Sequence, residues 1–171
     1  MAKDSSMSPL RHFFVTLFLT FLYQLHANAE PAPYPLDRPA LTVHLADGQR
    51  LTFSIAQLQE LPQASIQLRT SEGATQRWLG VPLQQLLRHI PDADNGRPLH
   101  TTALNDYSVL IPYEDIQRYD PLVAYQLDGR FMSIRDYGPL YLIYPFDDHP
   151  ELHQQMFYNR SIWQLSEIHV E

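Results

Sequence analysis

The chain has 171 residues, 44% of them hydrophobic, which suffices for one ordinary domain with its own core. With 19 acidic against 12 basic side chains the net charge is −7, which argues against nucleic acid or an anionic membrane surface as partner. No cysteine is present, so disulfides, a cysteine-borne lipid anchor and a thiolate metal ligand are excluded.

The N-terminus reads as a targeting segment. Lys3, Arg11 and His12 form a basic region, residues 13–22 are an uncharged apolar run, and Ala27-Asn28-Ala29 supplies a small-x-small cleavage site. The run is shorter than the roughly 20 residues a mature transmembrane helix needs. It lacks an Arg-Arg pair, so residues 1–29 are expected to be a cleaved general-secretion signal peptide. The mature protein is then periplasmic or secreted, without a membrane span. Every cation after Arg11 is an arginine, a side chain suited to planar carboxylates and phosphates. These arginines are spread rather than clustered, which favours compositional bias as their origin.

Residues 30–40 hold four prolines and read as an extended lead-in to a single domain over 41–171. Strands are predicted at 41–45 and 50–55 around the Asp47-Gly48 turn, then a short helix over 55–61 stopped by Pro62. Another strand follows at 65–69. A helix is predicted from Val81, with Leu83, Leu86 and Leu87 on one face. Strands at 100–104 and 107–111 flank Asn105-Asp106, and one or two helical turns follow over 112–119. Residues 122–127 and 140–144 are apolar enough to be strands buried on both faces. A short helix over 150–157 and a final strand over 162–170 complete a β-dominated α+β domain.

Asp147-Asp148-His149-Pro150-Glu151-Leu152-His153 is the one local pattern with metal-ligand chemistry. His149 and His153 are four apart, the spacing that puts two imidazoles on one helix face. Pro150 prefers the first helical turn, which would leave His149 outside the helix and spoil the pair. The pair is therefore only an alternative metal site, and no metal is the primary expectation. Glycine signatures for nucleotide binding and the Gly-x-Ser-x-Gly elbow do not occur.

Four segments in order resemble the molybdopterin-dependent oxidoreductase family with the sulfite-oxidase-like molybdopterin-binding fold. They are Trp78 to Leu83 with Leu86-Leu87, Leu122 to Gly129 with Met132, Gly138 to Pro145, and Arg160 to Val170. The resemblance implies that fold, oxidoreductase activity and a molybdopterin cofactor. It also implies a metal-ligating cysteine near Arg69-Thr70-Ser71, where this chain has Thr70 or Ser71, and cations where it has Tyr141 and Trp163. A hydroxyl replaces a thiolate poorly at a metal that selects soft ligands. The family's glycine-rich stretch before Arg-Ser is replaced by an insert, residues 146–159. Members loaded with cofactor are commonly exported folded by a twin-arginine route, unlike this leader.

The chain also resembles a short exported branch of the family without the cysteine, through Ala103 to Tyr107, Arg135 to Leu140 and Trp163 to Leu165. That resemblance implies a pocket for which Thr70, Asn105, Asp106, Tyr107, Arg135 and Arg160 are the candidate lining. Asn105-Asp106-Tyr107 is equally an Asx turn between strands. Arg135 either meets an anion or pairs with Asp136 or Asp106, and Arg160 is the surviving cation of the closing motif. The expectation is an exported molybdopterin-binding-fold protein without a working molybdenum centre or bound cofactor. It would recognise a small anionic ligand or an envelope protein. The alternative is an active oxidoreductase holding a molybdopterin-type cofactor without cysteine ligation.

Overall fold

The computed structural model describes residues 34–93 and 95–170. The signal peptide expected over residues 1–29 and the first residues of the lead-in lie outside them. Among the described residues, no helix is long and apolar enough to cross a membrane.

Two sheets make the framework. The first has the order β2-β1-β11-β5-β6, from β1 (Pro39–His44), β2 (Arg50–Ser54), β5 (Leu99–Ala103), β6 (Ser108–Ile111) and β11 (Leu165–Val170). Its central pair, β1 and β11, is parallel and joins the two ends of the domain. The second sheet has the order β10-β9-β7-β4-β3, from β3 (Ala64–Arg69), β4 (Thr75–Pro82), β7 (Leu122–Leu127), β9 (Tyr141–Ile143) and β10 (Ile162–Trp163). A short β8 (Arg130–Phe131) turns back on β7.

The helices are short. In α1 (Ile55–Gln59) a reciprocal cap ties Ser54 to Gln57, with hydrogen bonds of 2.8 and 3.1 Å, while Ile55 and Leu58 turn inward. The others are α2 (Leu83–Leu87), α3 (Tyr113–Tyr119) and α4 (Gln155–Arg160), with a 3-10 turn at Pro150–Leu152.

One core unites Leu41, Val43, Leu99 and Ile168 of the first sheet with Val81, Val123 and Leu142 of the second. The opposite face of the second sheet carries a separate aromatic-rich core. There Trp78, Leu122, Ala124 and Ile143 meet Tyr119, Tyr144, Phe146, Leu152 and Phe157. Residues 122–125 are therefore buried on both faces, which accounts for their unbroken apolar run. The insert over 146–159 supplies Phe146, Leu152 and Phe157 to this second core.

Three local expectations need correction. Residues 75–82 form strand β4, although the sequence places the start of a helix at Val81 and assigns no element to 75–80. Pairing with β3 holds the polar Gln76 and Arg77 in the strand, β7 joins from Trp78 onward, and the helix begins at Leu83. The single strand expected over 162–170 is two, because Gln164 takes a left-handed conformation (φ 53°) and passes the chain from one sheet to the other. The helix expected over 150–157 is a 3-10 turn followed by α4.

Candidate functional site

The six residues expected to line one pocket sit on four separate segments of the chain. Thr70 sits in the β3–β4 hairpin, where its own backbone and Oγ1 bond to Ala74 (2.8 and 3.2 Å). The adjacent Arg69 amide donates to Asp147 of the insert at 2.8 Å, so the insert is tied to this hairpin. Asn105, Asp106 and Tyr107 form the β5–β6 turn: Asn105 Oδ1 accepts from the Tyr107 amide at 3.1 Å, and Asp106 has φ 65°. The Asx-turn reading of this segment thus holds. The Tyr107 hydroxyl donates to the Asn159 carbonyl at 3.0 Å, which anchors the turn to α4. Arg135 is exposed, and among the described residues no ion pair joins it to Asp136 or Asp106; Asp136 instead accepts from Ser133 at 2.7 Å.

Arg160 is engaged structurally rather than waiting for an anion. Its Nη1 donates to Asp115 Oδ2 at 2.7 Å, and the Tyr144 hydroxyl donates to the same oxygen at 2.8 Å. Burial, followed by the Asp115 charge and hydrogen bond, raises the Tyr144 phenol well above its ordinary pKa, with Arg160 opposing. The alternative metal pair also comes apart. His149 caps the 3-10 turn from outside and faces Glu151 at 3.7 Å, while His153 Nδ1 lies 2.8 Å from the Tyr158 hydroxyl.

What the fold does assemble is an aromatic cluster on the outer face of the second sheet. Tyr137 and Tyr141 stack with centroids 5.4 Å apart and planes at 9°. Trp78 meets both edge-on at 5.4 and 5.2 Å, and Trp163 lies 5.8 Å from Tyr137. Such contacts contribute about 0.5–1.5 kcal/mol each beyond burial. The Trp78 indole N–H is buried and makes no hydrogen bond among the described residues. Burial, with the neighbouring Tyr137 second, pushes the Tyr141 phenol up to about 12, so it is neutral at physiological pH. Tyr137 also lines an open groove of about 640 Å³ with Phe131, Met132, Asp128, Arg130 and Asp136.

A family model described as the oxidoreductase molybdopterin binding domain matches residues 30–146. The chain belongs to the oxidoreductase molybdopterin binding domain family. The fold agrees: the structure is similar to the sulfane dehydrogenase SoxCD from Paracoccus pantotrophus, with a TM-score of 0.54 at 16% identity. That match covers 79% of this chain and 38% of the other, so the chain spans well under half the length of the protein it resembles. No curated protein matches the sequence.

Membership makes a molybdopterin cofactor possible, but the donor set of this molybdopterin-binding-family domain does not suit one. Thr70, beside the position implied for the thiolate, has its hydroxyl turned to its own hairpin. Tyr141 and Trp163, at the positions implied for cations, are cross-strand partners on β9 and β10 and offer rings instead of charge. Arg160 is bound to Asp115. A second cleft, of about 380 Å³, includes Asp106, but its other charged lining residue is Glu167, an unsuitable environment for an anionic cofactor.

One cluster went unnoticed in the sequence. His44, Glu167 and His169 place their ligand atoms within 4.8 Å of one another, the one such group of three among the described residues. The alternation Glu167-Ile168-His169 on a strand signals that two of them share a face. His44 joins them only through the parallel pairing of β1 with β11.

Proposed function

We propose that this domain is an exported, non-catalytic member of its family, a binding module that has exchanged the cofactor's charged anchors for an aromatic surface. The observation that carries the reading is the stacked Tyr137–Tyr141 pair, flanked by Trp78 and Trp163 and continuous through Tyr137 with the 640 Å³ groove. Two of the four rings stand where the family resemblance implies cations. Rigid aromatic rings supply contact area at little cost in conformational entropy and suit a small ligand or an extended segment of an envelope protein. Arg130 at the groove offers a planar donor for a carboxylate or phosphate, beside Asp128 and Asp136.

The test is molybdenum and pterin analysis of untagged protein recovered from its own export route. Substoichiometric molybdenum and no pterin fluorescence, in protein that unfolds cooperatively, is the expected result. One molybdenum per chain overturns the reading in favour of an oxidoreductase that holds its cofactor without cysteine.

A further inference from the structure

We propose that His44, Glu167 and His169 form a binding site for a borderline divalent transition ion such as Zn2+, on the outer face of the first sheet and separate from the aromatic groove. β1 and β11 run parallel with Thr42 opposite Glu167 and His44 opposite His169, so the three side chains occupy adjacent positions on one face. A single carboxylate oxygen lies close to both Nε2 atoms: Glu167 Oε2 is 3.3 Å from His44 Nε2 and 3.2 Å from His169 Nε2. In a tetrahedral zinc site with bonds of about 2.0–2.1 Å, two ligand atoms stand about 3.3–3.4 Å apart. Two of the three ligand separations, 3.3 and 3.2 Å, already lie close to that value.

The hydrogen bonding points the same way. His169 Nε2 makes a hydrogen bond with Glu167, but His44 Nε2 is buried and has no hydrogen-bond partner among the described residues despite its proximity to the same oxygen. A buried polar nitrogen left unsatisfied costs about 1–3 kcal/mol. Coordination would satisfy it through its lone pair. The rings are stacked, with centroids 4.2 Å apart and planes at 4°, so binding requires each to tilt until the in-plane lone pairs converge. The side chains of Glu167 and His169 are 42% and 41% exposed, which leaves an entry path and room for water as a fourth ligand. Two imidazoles and one carboxylate suit zinc, copper or nickel rather than magnesium or calcium. Arg50, opposite His44 on β2, is exposed, and His100 stands opposite His169 on β5. Glu167 also lines the 380 Å³ cleft, so a held ion has space beside it for a small molecule.

The experiment titrates Zn2+ into untagged, chelator-treated protein against a chromophoric chelator, and repeats it with His44→Asn, His169→Asn and Glu167→Gln. One equivalent bound with Kd below about 10 μM, weakened roughly a hundredfold by each change, is expected. His149→Asn combined with His153→Asn serves as a control and should bind as the parent does. Substituting Co2+ gives a second readout: intense visible absorption is expected for a four-coordinate site, and its loss in His169→Asn, whose side chain is half exposed, does not depend on a buried change being tolerated. No saturable binding by the parent, or binding that persists in the His44→Asn/His169→Asn double variant, overturns the proposal.

Discussion

The Arg160 guanidinium lies 2.7 Å from Asp115 Oδ2 although 45 residues separate the two in sequence. The pair fastens the end of α4 to the first turn of α3, and Tyr144 of the second core completes it. Arg160 also lies over the Phe157 ring at 5.4 Å. Side-chain exposures of 19% and 10% make this a largely buried ion pair. Removing one member leaves an uncompensated charge, so Arg160→Met should lose about 3–5 kcal/mol in urea unfolding. Arg160→Met with Asp115→Asn should recover part of that loss, because the stranded charge is gone. Equal loss in the single and double variants would show that the charge pairing is not what holds the elements together.

Alkaline pH should weaken the second core. The Tyr141 phenol is raised to about 12 from its ordinary 10, chiefly by burial. Between those values the unfolded chain gives up a proton that the folded chain retains. Stability from this group is therefore fully present below pH 10, falls as pH rises from 10, and is lost as pH passes 12. Tyr141→Phe should flatten that part of the stability profile, and ultraviolet phenolate titration should show one fewer late-ionising tyrosine. An unchanged profile in Tyr141→Phe would place the alkaline sensitivity elsewhere, Tyr144 being the next residue to examine.

Gly80 separates a sequence motif from a packing requirement. It pairs with Ala124 where β4 crosses to β7, and a Cβ added there would run into the Val123 carbonyl and the Ala124 backbone. Backbone on a neighbouring strand cannot move aside as a side chain can. Gly80→Ala should therefore destabilise by about 3 kcal/mol or more, the upper end for overpacking. A loss below about 1 kcal/mol by chemical denaturation would mean that the two strands separate easily.

The parts of the fold that local pattern determines were legible in the sequence. The apolar run at residues 122–127, the Asp47-Gly48 hairpin and the short helix before Pro62 each depend on neighbours within a few residues. Strand β4 was not, because polar Gln76 and Arg77 hide a strand that only pairing with β3, and with β7 from Trp78 onward, holds in place. The break at Gln164 hides in an apolar-rich strand pattern, since only a backbone that must serve two sheets needs it. The site was less legible still. Arg160 looks like an anion ligand until Asp115 is seen beside it, and His44 lies 125 positions before His169. Their adjacency follows from a parallel strand pairing that no local motif announces.

Trp78 distinguishes a packing residue from a binding residue. Its side chain is 3% exposed and central to the aromatic cluster, so Trp78→Ala should lose about 3–5 kcal/mol through the cavity it leaves. Trp78→Phe is the sharper change. It removes some ring area but also an indole N–H that is buried without a partner, and relief of that donor offsets part of the lost packing. The net loss on Trp78→Phe should stay within about 1.5 kcal/mol in urea unfolding. A loss near that of Trp78→Ala would instead show that the indole N–H has a structural partner, such as an ordered water, and that the ring is fixed by hydrogen bonding as well as packing.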